Sequence, residues 1–377
     1  MTANHAPHPP RLSDLIVDAE QPTPRRAFLS HVGLSLVVGG SALAACQRDA
    51  GDASQGAAGA DTVRRDQALA NPNSRLDTAL HRDMAVPATT APTDAANPAF
   101  QRYNPALPPL SGERTLRLNW RTQETNVRIS ADTVVAAWTF EQSLPGPIVH
   151  CRVGDTVEFT LTNDSAMPHS MDFHAAQIDP KAAFRSVGRG QSVSFTFRPK
   201  WAGAFMYHCG TAPVLMHIGS GMYGAIIVSP ERALPPAKEF VLVQSEFYLG
   251  APAANNVRPF DYQKMLSTLP DFVAFNGRPL QYVNDPIRVR MGDRVRLWVV
   301  NCGPTHPCAF HVVGEQFDTM YLGAPPGTPI RGVQTWDVPA GGGMCFELDC
   351  DIRGEFPFVN HGFGHGQKGA IGFLVVE

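Results

Sequence analysis

The sequence predicts an all-β protein made of two tandem β-sandwich domains. Three observations predict it. Short runs rich in Val, Ile, Thr and Phe recur along the chain, 33 Gly and 33 Pro punctuate its 377 residues with turns, and one pentamer recurs ahead of two similar runs. β-Branched and aromatic residues suit a pleated, half-buried surface, and short runs separated by turn residues have the spacing of a sandwich.

The chain begins with an export signal over residues 1–45. Arg25-Arg26-Ala27-Phe28-Leu29 is a twin-arginine pattern, and the apolar stretch from about Val32 to Ala45 is too short to span a bilayer. Leu43-Ala44-Ala45-Cys46 has the form of a lipoprotein signal-peptidase site. A short buried helix is the competing reading, but the order of charge, apolar run and small residues before a Cys argues against it. The expected product is a periplasmic or cell-envelope lipoprotein, exported by the twin-arginine route and anchored through Cys46 without spanning the membrane. Residues 46–112, rich in Ala, Asp, Asn, Pro, Thr and Arg, lack apolar periodicity. They read as a partly disordered tether that wraps the first domain near its end.

The first sandwich is expected over 113–235, with runs at Thr115–Trp120, Val134–Phe140, Asp155–Leu161, Ser192–Phe197 and Ala225–Val228. The second is expected over 236–377, with runs at Phe240–Ser245, Ile287–Met291, Val295–Val300, Cys345–Leu348 and Ala370–Val376. Val153-Gly154-Asp155-Thr156-Val157 in the first half is echoed by Met291-Gly292-Asp293-Arg294-Val295 in the second. Each precedes an alternating run that ends on an Asn, Asn163 or Asn301, which indicates a duplication.

Composition narrows the partners. Lys and Arg number 31 against 34 Asp and Glu, with no basic run, so nothing points to nucleic acid. Of seven cysteines, Cys46 belongs to the lipobox and Cys151 sits in an apolar strand pattern as a buried free thiol. Cys302, Cys308, Cys345 and Cys350 are candidates for pairing in an oxidising compartment, with three connectivities open.

The segment from Tyr207 to Met222 carries the chemistry. It contains Cys209, then His217 eight residues on, then Met222 five beyond, and His169 lies upstream. A thiolate, two imidazoles and a weak thioether are the donors of a blue-type (type 1) copper centre, the soft sulfurs suiting Cu(I) and the imidazoles Cu(II). Taken singly, Met222 and His217 read as packing residues; the combination does not. In an extended chain His169 and His174 face opposite ways, as do His208 and Cys209. The simplest arrangement pairs His169 with Cys209 at one metal and His174 with His208 at another, the two joined by one peptide link. A second site needs a further ligand, and the second half offers His306, His311, His361 and His365. Three histidines and an open position are the general form of a catalytic metal site.

From about Val134 to the C-terminus the sequence resembles the copper-containing nitrite reductases, and among them the outer-membrane lipoproteins. The matching motifs are Pro168–Ala176, His208–Gly224, Val273–Gly277, Phe310–Asp318, Val338–Gly342 and Val359–His361. The resemblance implies two tandem cupredoxin-like Greek-key sandwiches and two coppers per chain. It implies a type 1 copper at His169, Cys209, His217 and Met222. It implies a type 2 copper at His174 and His208, with His361 contributed by the neighbouring subunit of a homotrimer. Asp172 and His311 fall on the family's catalytic acid pair, and Val313 on the residue that shapes the substrate pocket. The implied reaction is one-electron reduction of nitrite to nitric oxide, fed by a small cupredoxin or c-type cytochrome, with the electron passing from Cys209 to His208.

The chain also departs from the family. After Ala176 the usual Thr-Gly and glycine-rich loop are replaced by Gln177-Ile178-Asp179-Pro180-Lys181-Ala182, which bears on substrate access. The segment after His361 is about one residue shorter than usual. His306 and His365 take no family role and read as surface or loop histidines, with His365 a further candidate ligand. A laccase-like oxidase needs His-x-His pairs and a His-Cys-His string, and this chain has neither. A type 1/type 2 enzyme with another substrate and a non-enzymatic blue-copper carrier are the remaining alternatives; copper content per chain separates the carrier from an enzyme.

Overall fold

The computed structural model describes residues 97–377 except Ala254. The export signal, Cys46 and most of the proposed tether lie outside the described residues. Among the described residues no helix is long and apolar enough to cross a membrane.

The first half supplies β1 (Thr115–Arg128), β2 (Val134–Phe140), β3 (Val149–Arg152), β4 (Thr156–Asn163), β5 (Asp172–Phe173), β6 (Ser192–Phe197), β7 (Gly203–His208) and β8 (Tyr223–Ser229). The second supplies β9 (Lys238–Phe247), β10 (Val257–Arg258), β11 (Phe272–Phe275), β12 (Ile287–Val289), β13 (Arg294–Asn301), β14 (Cys308–Val312), β15 (Thr319–Tyr321), β16 (Thr335–Val338), β17 (Gly343–Asp349), β18 (Gly354–Asn360) and β19 (Ile371–Val376). Every predicted run lies in or overlaps one of these strands. Most extend further than the apolar pattern, because pairing continues where side chains are polar.

Two sheets, ordered β10-β2-β1-β4-β6 and β3-β8-β7-β5, enclose the first core. Trp120, Phe140, Phe159, Phe173 and Tyr207 fill it with edge-on and tilted rings. The sheets β11-β9-β13-β17-β15 and β12-β19-β18-β14-β16 enclose the second, around Phe275, Phe310, Phe346 and Phe358. A third apolar cluster joins the sandwiches, with Val135, Met206, Tyr223 and Ile227 meeting Val241, Val243, Trp298 and Val300. Burying that much apolar surface holds the halves as one unit. β10 comes from the second half of the chain yet pairs with β2 of the first sandwich.

The repeated pentamer forms the same turn twice. Gly154 and Gly292 have φ of 76° and 87°, a region that favours glycine. Asp155 accepts from Arg152 N at 2.8 Å, and Asp293 accepts from Arg290 N at 2.9 Å. The strands that follow pair alike: β4 lies parallel to β1 and antiparallel to β6, and β13 lies parallel to β9 and antiparallel to β17.

Two expectations change. The end of the predicted tether is packed on the fold, and its backbone joins the second sandwich: Leu107 N donates to Glu239 O at 3.0 Å and Val241 N to Pro105 O at 2.7 Å. Cys302, Cys308, Cys345 and Cys350 do not pair; each is a free, buried thiol inside an apolar core, as is Cys151. Burial pushes the Cys151 and Cys350 thiols up to about 12, so both stay protonated and inert at neutral pH.

Candidate metal centre

The register of β5 on β7 decides which donors meet. Asp172 lies opposite His208 and Phe173 opposite Tyr207. Opposed residues share a face, so Asp172, His208 and, two residues on, His174 point out of the sandwich. Phe173, Tyr207, Met171 and Cys209 point into its core. Alternation requires extended chain, but β5 is two residues long and Cys209 lies just past β7. Its outcome holds because parity is kept through the short flanks.

The inner set is His169, Cys209 and His217, all buried. His169 is held by a backbone bridge to Val187, with hydrogen bonds of 3.1 and 2.8 Å. His217 sits on the short helix Val214–Gly219. Cys209 Sγ lies 3.3 Å from His217 Nδ1 and 3.8 Å from His169 Nδ1, and the two Nδ1 atoms are 3.1 Å apart. Donors around a trigonal metal with bonds of about 2.1 Å would be about 3.6 Å apart, so the triangle fits an ion of that size. His169 Nε2 is buried without a hydrogen-bond partner. Burial, with His217 adding to it, drives the His169 pKa down to about 3, and burial also lowers His217. Both rings are therefore neutral at pH 7, the state that binds metal. Met222 is fully buried in the same core, and its carbonyl accepts from Cys209 N at 3.1 Å.

The outer set is Asp172, His174 and His208. His208 Nδ1 donates to Cys209 O at 2.9 Å, and His174 Nδ1 donates to Gly341 O at 3.1 Å. A carbonyl only accepts, so each ring carries its proton on Nδ1 and turns a lone pair outward on Nε2. Those two Nε2 atoms face each other at 3.1 Å, with Asp172 Oδ2 3.8 Å from His208 Nε2. Two facing lone pairs beside a carboxylate fit a cation, and the backbone carbonyls are the outer partners that metal-bound imidazoles require. Burial and the neighbouring His208 lower the pKa of His174.

His361 and His311 lie together elsewhere, with ring centroids 5.4 Å apart. Neither joins the outer set among the described residues of one chain. His311 Nδ1 donates to Gln334 O at 2.6 Å, and His361 packs on Phe363 at 4.6 Å. Val313 follows His311 on the same face and is 41% exposed. The departure from the family at Gln177–Ala182 folds into a short helix, Pro180–Ala183, capped by Asp179. It leans on β6 through Phe184 and Phe195, 5.6 Å apart.

Sequence reasoning missed three contributors. Trp138 packs edge-on against both inner imidazoles, at 5.7 and 5.0 Å. Ser170 N donates to Cys209 Sγ at 3.3 Å, and Ser170 Oγ accepts from Gly210 N at 3.0 Å. Gly341 orients His174 from the other sandwich through its carbonyl, for which no side-chain signal exists. The position of Trp138, on a strand beside the core, could have been read from the alternation of β2.

A family model described as multicopper oxidase matches residues 121–233. The copper-containing nitrite reductase of Neisseria meningitidis serogroup A is 37% identical over 300 residues, covering 78% of this chain and 75% of that one. The copper-containing nitrite reductase of Cereibacter sphaeroides is 27% identical over 324 residues, covering 77% and 86%. The solved copper nitrite reductase of Nitrosomonas europaea is 34% identical with a TM-score of 0.64, covering 70% of this chain and 94% of that one.

Proposed function

Because the chain belongs to the copper-containing nitrite reductase family, with its two-domain cupredoxin-like fold, we propose that it is an enzyme reducing nitrite to nitric oxide, with type 1 copper at the inner donor set and type 2 copper at the outer. The carrying observation is that both sets meet at one peptide, Cys209 facing inward and His208 outward. Copper bound at the two sets would supply one-electron exchange at the inner one and Lewis-acid polarisation of nitrite at the outer one.

The reaction takes one electron and two protons: NO2− + 2 H+ + e− gives NO + H2O. One N–O bond breaks, the nitrogen is reduced, and the departing oxygen leaves as water. Cys209 and His208 supply the short path for the electron, through the peptide bond and through the hydrogen bond from His208 Nδ1 to Cys209 O. Ser170 N and the surrounding apolar core keep the thiolate in place and dry. Asp172 Oδ2, half-exposed beside His208, delivers one proton. His311 holds Nδ1–H on Gln334 O, so its Nε2 is the atom that handles the second. Val313, on the same face as His311, bounds the space that nitrite enters.

The outer set has two imidazoles, and His361 is exposed beside His311 on the other sandwich. This supports a homotrimer in which His361 of one chain completes the outer set of the next. Met222 supports the inner set as the weak fourth ligand. The twin-arginine segment and Cys46 support export and lipid anchoring at the cell envelope, where a small cupredoxin or c-type cytochrome would donate the electron. Copper-loaded protein with a reduced donor should convert nitrite to nitric oxide. No turnover with two coppers bound per chain would sink the nitrite reading.

A further inference from the structure

The internal repeat brings a second pair of histidines to the position of the inner donor pair. Asn163 and Asn301, which end the matching strands β4 and β13, fasten the next loop in the same manner. Asn163 Oδ1 accepts from Ser165 N at 2.9 Å and Thr122 Oγ1 at 2.6 Å, while its Nδ2 donates to Met167 O and Val187 O at 2.8 Å. Asn301 Oδ1 accepts from Gly303 N at 2.9 Å and Gln244 Nε2 at 3.3 Å, while its Nδ2 donates to His306 O at 2.8 Å and Val338 O at 2.9 Å. The loop under Asn163 carries His169, and the loop under Asn301 carries His306. On the opposite side, β7 runs into the short helix Val214–Gly219 that carries His217, and its counterpart β18 runs into the short helix Phe363–Gln367 that carries His365. The rings of His169 and His217 are 5.0 Å apart; those of His306 and His365 are 4.7 Å apart. His306 and His365, read from the sequence as surface or loop histidines with His365 a further candidate ligand, are thus a half-buried, facing pair.

We infer that His306 and His365 form a further binding site for a divalent ion of the zinc and copper class. His306 Nε2 donates to Thr268 O at 2.7 Å, which leaves the lone pair on Nδ1 and supplies the carbonyl partner usual behind a metal-bound imidazole. Asn360 lies opposite Phe310 as Tyr207 lies opposite Phe173 and is likewise buried, and its amide nitrogen lies 2.8 Å from Gln244 Oε1, 3.2 Å from Pro307 O and 3.3 Å from His365 Nδ1. The two nearer carbonyl oxygens take the two amide hydrogens, so His365 is not held to one tautomer. The buried Glu246 carboxylate accepts from His306 N at 2.6 Å and places negative charge beneath the pair. Lys368 opposes it from the His365 side. His361 follows Asn360 on the outward face and turns its ring to His311 and Phe363, away from the pair. The site therefore has two imidazoles and no sulfur, completed by water, and favours Zn2+ or Cu2+ over Cu+.

Protein with both copper sets filled, dialysed against Zn2+, tests this by metal analysis. Wild type should retain one zinc per chain more than His306→Ala and His365→Ala, with copper content equal in all three. Equal zinc in the three proteins would overturn the site. If an alanine variant loses copper, electron paramagnetic resonance of wild type given one further Cu2+ decides. A new signal split by two nitrogens is expected, and one split by fewer would remove the pair as ligands.

Discussion

His208 and Cys209 are joined twice, by their peptide bond and by a 2.9 Å hydrogen bond from His208 Nδ1 to Cys209 O. The second link fixes which nitrogen of His208 carries the proton, and with it the direction in which the ring offers its lone pair. Replacing His208 with Ala removes the outer lone pair and leaves every inner donor in place. His208→Ala should keep the copper–thiolate absorption and still be bleached by a reduced donor, yet stay bleached when nitrite is added. Rapid-mixing absorbance would show this; recolouring by nitrite at the wild-type rate would remove His208 from the path.

Asp172 stands 3.8 Å from His208 Nε2 and is 31% exposed at its side chain, close enough to share a proton with substrate and wet enough to be recharged. Asp172→Asn preserves shape and removes the acid. Nitrite turnover should fall by about 10²–10⁴-fold, the usual worth of a positioned acid, with the copper–thiolate band unchanged. An unaltered rate would take Asp172 out of the mechanism.

His361 lies with His311 and away from the outer set of its own chain. His361→Ala should lose the outer copper selectively, as metal analysis and the retained thiolate absorption would report. Oligomers reassembled from His361→Ala and His208→Ala chains should recover part of the activity, because some junctions then combine an intact pair with an intact His361. No recovery, with mixed oligomers present, would argue against a shared site.

The pairing of donors was legible because it rests on parity. His169, Met171 and Phe173 must face one way, and Asp172 and His174 the other, whether two residues or seven are formally in the strand. The duplication was legible because the Gly154 and Gly292 turns need a glycine and an Asp that closes back on the chain. Backbone partners were not. Gly341 acts through its carbonyl, and Ser170 through its amide, so neither residue type announces its role. The free state of Cys302, Cys308, Cys345 and Cys350 depended on which core each strand face meets, and the facing of His306 and His365 on aligning two halves whose loops differ in length.

His150 joins the end of the N-terminal segment to the first sandwich. Its Nδ1 donates to Pro108 O at 2.6 Å and its Nε2 accepts from Ser229 Oγ at 2.8 Å, an arrangement that needs the neutral ring. Burial lowers its pKa from the usual 6.5, Arg152 adding to the effect and the Pro108 carbonyl, Glu239 and Asp155 opposing it. Above 6.5 folded and unfolded chains are both neutral there, and the contribution is fully present. As pH falls below 6.5 the unfolded chain takes up a proton that the folded one refuses, so stability declines by at most about 1.4 kcal/mol per pH unit until the folded ring also titrates. Denaturation of wild type and His150→Gln between pH 7.5 and 5 on the order of half-unit steps should show a shallower decline in the variant. Parallel declines would clear His150 of the effect.

Asn163 and Asn301 make the same bonds in the two halves but serve different loops. Asn163 holds the loop that delivers His169 to Cys209, and Asn301 holds the loop that carries His306. Each is fully buried, so its removal leaves several polar groups without partners. Both Asn163→Ala and Asn301→Ala should therefore destabilise the protein by several kcal/mol, at about 1–3 kcal/mol per stranded group. Their effects on the inner metal should differ. Asn163→Ala frees the loop of Ser165 to His169 and should weaken or shift the copper–thiolate absorption in protein that is still folded. Asn301→Ala lies in the other sandwich and should leave that band in place at equal loss of stability. Denaturation paired with visible absorbance separates the two, and an identical optical change in both variants would mean that Asn163 acts on the inner set through stability alone.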